Sequence, residues 1–371
     1  MISQRKMPIY WFNWPSNLGG ADTKFVHTMW LLRGEYDITV VPNARWQLEQ
    51  SHWREWLHGL GMKTALLEDL PSKLKGWGVS LCNGEFWAGG IAARARKRGL
   101  KIAWSSEMMW HHGGERMAAE LGLIDKVLYV SEVQRAALEP EYCGVPGVIT
   151  GNYIAPKFFP WRDRTKGRRF EEFVIGRLSR PDPAKFPRDF PESYQRLRLK
   201  NPRYRVMAWS EEMAKQYEVP VGTRSTASET SPKEMGTEWN RSLPSRFRGT
   251  WDLLPKETET QLDFLHALDL LVYDLREDFT ESWGRAVVEA MLTGAVPLVT
   301  AHPRHHLKHL VPQGVGGFLC STKAEWREHA QRLQQDIALR KKMAKAAREF
   351  AVHELCHAAK HRAAWREVFE S

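Results

Sequence analysis

The chain has 371 residues, 43% hydrophobic and 26% charged, with a formal net charge of +10. That length suits about two domains with ordinary apolar cores, and the charge favours polyanionic partners such as nucleotide diphosphates, nucleic acid or an anionic membrane surface. No run of roughly eighteen apolar residues marks a membrane span, and Cys82, Cys143, Cys320 and Cys356 have neither paired nor metal-ligand spacing, which reads as a reduced, cytoplasmic protein without structural zinc.

The first residues, MISQRKMPIYWFNWP, pass from a basic tip straight into a strand, without the pattern of a signal peptide. Strands are expected at 8–12, 37–41, 63–67, 78–82, 100–104, 126–130 and 146–150, with helices over 21–33, 47–59, 85–98, 114–121 and 131–138. That alternation predicts a doubly wound parallel sheet, in an N-terminal domain spanning 1–160. Directly after the first strand, WPSNLGGADTKF offers Gly19 and Gly20, which permit a tight turn and close approach of backbone amides to an anion at the following helix. The pair is not GxGxxG, and two glycines after a strand are common.

After the strand at 100–104, WSSEMMWHHGGE places Glu107, Trp110, His111 and His112 in a loop before another glycine pair. A histidine there is either a satisfied structural group or a reach toward a ligand. Ten of the seventeen tryptophans fall in the first 150 residues. Most read as core, whereas Trp14 and Trp110, in loops beside glycine or histidine, read as rings able to stack on a sugar or a base.

A basic, proline-bearing stretch at 155–169 reads as a linker into a second domain over 161–355. Strands restart at 171–176, 204–210, 268–274, 296–300 and 316–320, while the polar segment 221–245 reads as an insertion or long loop. In VIGRLSRPDPAKFP, Gly176 ends a strand, and Arg177, Arg180 and Lys185 follow in a loop stiffened by Pro181 and Pro183. Fixed cations at a strand's carboxyl end make a diphosphate clamp, or else an ordinary charged loop. The basic runs at 94–101, 162–169, 302–309 and 339–348 read mostly as solvated helix faces. From Thr322 onward the chain is helical and charged, and 356–371 is expected to be a helix packing back toward the N-terminal domain.

The most informative stretch is FTESWGRAVVEAMLTG, 279–294. Glu281 and Glu289 have seven residues between them on what reads as one buried helix, with Val287, Val288, Met291 and Leu292 as its apolar stripe and Gly294 as its stop. Eight residues of helix span roughly 12 Å, about the distance from a sugar to a ribose across a pyrophosphate. Glutamates at that spacing are commonly solvated. Core residues flank Glu289, however, so its carboxylate needs partners, and ligand hydroxyls are suitable ones.

Glu281-x7-Glu289 with its EAMLTGAVPLV tail, GRLSRPDPAK (176–185), the Gly19-Gly20 loop, VSEVQRAAL (130–138) and GNYIAPKFFP (151–160) together resemble a GT-B glycosyltransferase, most similar to retaining glycosyltransferase family 4. The likeness runs in order along nearly the whole chain. It implies an α/β protein of two facing Rossmann-like domains that transfers a hexose with retention, without a cofactor or obligatory metal, from a nucleotide-diphosphate sugar, UDP-sugar being favoured. On this resemblance Glu281, beside Ser282, would bond the donor sugar's hydroxyls and Glu289 the ribose. Arg177 and Lys185 would hold the pyrophosphate, and His111 would act near the transferred sugar, with backbone at Gly19 and Gly20 near the phosphates. The family's lysine usually lies nearer the Gly-Arg pair, so Arg180 shares the role given to Lys185. The doubled histidine likewise admits His112 in place of His111. Trp14, Glu107, Trp110 and His112 are assigned to the acceptor.

The acceptor itself stays open: a carbohydrate, a lipid or a small molecule, with DNA carrying a hydroxymethylated base as the alternative that +10 charge and aromatic rings suggest. A second alternative is a non-catalytic GT-B protein that binds sugar nucleotide or nucleic acid. A dinucleotide-dependent dehydrogenase is a poor fit, because neither domain's first turn carries GxGxxG with an acidic residue at the expected distance. Oligomeric state is not legible.

Overall fold

A computed structural model of the chain describes residues 6–16, 20–164, 172–219, 221, 243–256 and 258–370. The chain divides into two units, Met1–Ala155 with Cys356–Ser371, and Pro156–Leu355.

Unit 1 is built on β1 (Pro8–Trp11), β2 (Asp37–Val40), β3 (Lys63–Thr64), β4 (Trp77–Leu81), β5 (Lys101–Ser105), β6 (Lys126–Tyr129) and β7 (Gly147–Ile149). They form one parallel sheet in the order β3-β2-β1-β4-β5-β6-β7. All seven lie where the apolar runs predict. Helices on both faces demand strands without a polar side, and β4 is buried along its whole length. The helix expected over 85–98 is two, Gly84–Ala88 and Ile91–Lys97, because Gly90 takes φ 63 between them, a conformation that costs glycine little. The one expected over 47–59 likewise breaks into Arg45–Leu48 and Ser51–Gly59.

The core of this unit gathers Phe12, Phe86 and Trp104, the last two rings stacked 6.2 Å apart. Burial of each such side chain contributes about 1.5–3 kcal/mol. The last helix, Ala358–Glu370, belongs to the same unit. Trp365 sits 5.1 Å from Trp11 between ring centroids, the Trp77 indole donates to the Phe369 carbonyl at 3.1 Å, and Arg362 pairs with Glu35 at 2.6 Å.

Unit 2 carries β8 (Phe173–Leu178), β9 (Pro202–Met207), β10 (Thr250–Leu254), β11 (Leu270–Tyr273), β12 (Val296–Thr300) and β13 (Phe318–Cys320), parallel in the order β10-β9-β8-β11-β12-β13. The sequence reading does not anticipate β10. Its Asp252 interrupts an apolar run, and the structure accepts that carboxylate at full burial by pairing it with Arg203 at 2.9 Å and Arg205 at 3.1 Å. Residues 222–242 of the expected long loop and 165–171 of the linker lie outside the described residues. The core centres on Phe190, whose ring meets those of Tyr194, Trp209, Tyr217, Phe247 and Trp251 at 5.2–6.2 Å.

Strand order reverses between β1 and β4 in one sheet and between β8 and β11 in the other. Open parallel sheets bind ligands outside the carboxyl ends of the strands at such a reversal. No described helix is long and apolar enough to cross a membrane.

Candidate active site

At the carboxyl edge of the unit 2 sheet, beside its reversal, one carboxylate gathers three elements. Glu281 is 7% exposed, and its Oε2 accepts from Lys185 Nζ at 2.9 Å and from the Tyr273 hydroxyl at 2.8 Å. Its Oε1 has no hydrogen-bond partner among the described residues. Burial works to raise the Glu281 carboxyl. The Lys185 charge and hydrogen bond, the Tyr273 hydroxyl and the Arg177 charge outweigh it and hold the group below the ordinary glutamate range. Glu281 is therefore a buried anion, stabilised by a cation that is itself largely enclosed.

Two expectations need correction here. The helix is Arg285–Thr293, opened by Gly284 at φ 93, so Glu281 lies in the turn before it and only Glu289 is on it. The 12 Å helical separation therefore does not apply. Arg177 lies in β8 rather than in the following loop, and it is 0% exposed. Its guanidinium donates to the carbonyls of Asp274 at 3.1 Å and Lys185 at 2.7 Å and stacks 4.0 Å over Tyr273. It braces β8 against β11 and fixes the segment that presents Lys185.

The remaining donor-side residues make other contacts. Arg180 pairs with Asp182 at 2.7 Å, and Asp182 caps the turn Pro183–Lys185 by accepting the Ala184 N–H. Glu289 is buried, ion-paired with Arg285 at 2.9 Å and hydrogen-bonded by Gln261. Burial outweighs those partners and raises its carboxyl above the ordinary range. Ser282 is half-buried in the turn beside Glu281. Asp274, just past β11, is pushed up to about 6 by burial, with Arg177 working against the rise.

In unit 1, Gly20 opens the helix Gly20–Leu32, while Gly19 lies outside the described residues. Glu107 is buried and accepts from Lys24 Nζ at 2.6 Å and Ser105 Oγ at 2.5 Å. His112 faces Cys82, Nε2 to Sγ 3.2 Å, and its backbone N–H donates to Glu115. His111 lies 3.7 Å from Glu141 through Nδ1 and packs on Tyr142, and its buried Nε2 has no partner among the described residues. Trp14 is buried, its indole donating to Gln50 at 2.8 Å, so it is not the free stacking ring expected; Trp110 is 46% exposed. At the reversal Asn13 ties β1 to β4, donating to the Leu81 carbonyl and accepting the Leu81 N–H, both at 2.8 Å.

No family model matches the chain, and no curated protein matches it in sequence. Its structure is similar to that of Anabaena HepE in complex with UDP-glucose, at 12% identity and a TM-score of 0.67, over 98% of this chain and 99% of that one. It is also similar to a glycosyltransferase from Rickettsia africae, at 10% identity and a TM-score of 0.65, over 98% and 99%. Sucrose-phosphate synthase from Thermosynechococcus elongatus aligns at 12% identity and a TM-score of 0.61, also over 98% and 99%. The chain has the GT-B fold.

Within this GT-B frame several buried polar residues escape sequence reasoning. Tyr273 sits in the apolar run LDLLVYD and reads as core, although its hydroxyl reaches Glu281. Lys24 pairs across 83 residues with Glu107, beyond any local signal. His305 belongs to HPRHHLKH, read as a solvated basic run; the structure buries His305 and turns its ring toward Glu281. Among the described residues no cluster of three or more His, Cys, Asp or Glu side chains could hold a metal ion.

Proposed function

We propose that this chain is a retaining, metal-independent glycosyltransferase of the family 4 type, moving a hexose from a UDP-sugar to an acceptor hydroxyl on a carbohydrate, lipid or small molecule. The observation that carries the reading is Glu281: a charged carboxylate at the sheet reversal of unit 2, with Lys185 and Tyr273 on one oxygen and no partner among the described residues on the other. A carboxylate so arranged accepts hydrogen bonds from sugar hydroxyls, and Lys185 places a cation where a diphosphate develops charge. Similarity to HepE, whose structure is a complex with UDP-glucose, supports a UDP-sugar as donor. Glu289 and Ser282 are proposed for the ribose and the sugar, and Arg180 as a second cation for the pyrophosphate.

In this mechanism the bond from the anomeric carbon to the diphosphate breaks, leaving negative charge on the phosphate oxygens and positive charge on the sugar. Lys185 and the N-terminal turn of Arg285–Thr293 stabilise the first. The departing phosphate oxygen takes the acceptor's proton while the acceptor oxygen bonds to the same face of the sugar, so no protein nucleophile is required. Of the two histidines His111 is proposed for the sugar, because its Nε2 has no partner among the described residues whereas that of His112 faces Cys82.

Tritiated sugar transfer tests the assignment, with UDP- and GDP-sugars offered to carbohydrate and lipid acceptors, unmodified DNA and hydroxymethylated DNA. Label from a UDP-sugar in the carbohydrate or lipid pool, with retained anomeric configuration, is the expected result. Label confined to hydroxymethylated DNA overturns the acceptor, and no turnover of any donor overturns the enzyme.

A further inference from the structure

The loop after β12 encloses the turn that carries Glu281. His305 is 2% exposed, and its Nδ1 accepts the Glu281 backbone N–H at 3.1 Å. The next residue, His306, donates its own backbone N–H to the Glu281 carbonyl at 3.3 Å. Consecutive residues of one loop thus grip both backbone polar groups of the glutamate. The fit is close further along the turn as well, where a Cβ on Gly284 would lie 2.4 Å from Leu307.

An N–H facing Nδ1 leaves that nitrogen one role. The ring must be neutral, with its proton on Nε2, since a second N–H at Nδ1 would oppose the amide. Burial and the neighbouring His302 and Arg304 keep the imidazole neutral, against the pull of Glu281, and push its pKa down to about 4.

We propose that His305 is a positioning residue for the donor site, fixing the turn 281–284 so that the Glu281 carboxylate stands ready beside Lys185 and Tyr273. The proposal rests on the reading of Glu281 as a ligand to the donor sugar. A carboxylate held through its own main chain loses little freedom when it meets a hydroxyl, which favours binding and correct orientation together.

Variants His305→Ala, His305→Asn and Glu281→Gln test it, each first checked for native circular dichroism and melting. Asparagine sets a carbonyl oxygen near the place of Nδ1 and so restores the acceptor. The expected result is a UDP-glucose Kd about tenfold weaker in His305→Ala, the scale of one lost hydrogen bond, and largely recovered in His305→Asn. Side-chain 15N spectra at neutral pH are expected to show a ring protonated on Nε2 alone, its signal missing from His305→Ala. A His305→Ala protein with wild-type affinity beside a crippled Glu281→Gln overturns the positioning role alone, as does a ring protonated on Nδ1. If the wild type ignores UDP-glucose and Glu281→Gln changes nothing, the donor reading falls and the proposal with it.

Discussion

Glu281 keeps its charge inside unit 2 because Lys185 and Tyr273 both donate to one of its oxygens. Glu281→Gln removes the charge while preserving shape; kcat/KM with the UDP-sugar donor is expected to fall about 10²–10³-fold, and melting to fall as the enclosed Lys185 loses its counter-charge. An equally active variant would remove Glu281 from the site. The Lys24–Glu107 pair is a different kind of carboxylate: both side chains are almost wholly enclosed. Lys24→Met strands Glu107 without its cation, and urea unfolding is expected to register a loss of about 3–5 kcal/mol; a loss under about 1 kcal/mol contradicts a buried, charged pair. At this scale the sequence is legible where a polar residue interrupts a pattern, as Glu281 and Lys185 do in loops after strands. It is silent where a residue obeys its pattern, as Lys24 does within a helix and Tyr273 within an apolar strand.

Elements near the site are held by backbone conformations as much as by side chains. Gly34 and Gly284 both have positive φ, but an added Cβ meets nothing within 4 Å at Gly34 and Leu307 at 2.4 Å at Gly284. Gly34→Ala is expected to cost only the left-handed penalty of about 1–2 kcal/mol. Gly284→Ala is expected to cost more and to weaken donor binding as the turn shifts, and equal losses in thermal unfolding would contradict that packing.

The loop at 302–309 also sets a pH dependence. Burial, reinforced by neighbouring cations and histidines, lowers His305 and His306 from an ordinary 6.5 to about 4. Above 6.5 both folded and unfolded chains are neutral at these positions. As pH falls from 6.5 toward 4 only the unfolded chain takes up protons, so stability declines through that window and levels off below it. Asp274, raised to about 6, acts with the opposite sign. The difference between wild type and His306→Gln isolates the histidine: urea unfolding of the variant is expected to depend less steeply on pH between 6.5 and 4, and parallel profiles would refute it. All strands but β10 were legible because parallel sheets covered on both faces need continuous apolar runs. The helix start at Arg285 was not, because a left-handed Gly284 reads locally as one more helical residue.

For the molecule as a whole, the final helix completes unit 1, where Trp365 and Phe369 cover Trp11, Trp77 and Tyr36. Removing residues 358–370 is expected to open 6–155 to limited proteolysis, and an unchanged digestion pattern would show that the helix is dispensable. The fold was legible from element order alone, since alternating strands and helices in two runs admit few other topologies. The basic run 302–309 was a poorer guide, because His305 and His306 bond the Glu281 backbone rather than forming a solvated face. Calorimetric titration of UDP-glucose into wild type and Glu281→Gln tests the central claim most directly. Saturable binding by the wild type, weakened about tenfold or more in the variant, is the predicted result; no binding, or equal affinity in both proteins, would contradict a donor site at the carboxyl edge of the unit 2 sheet.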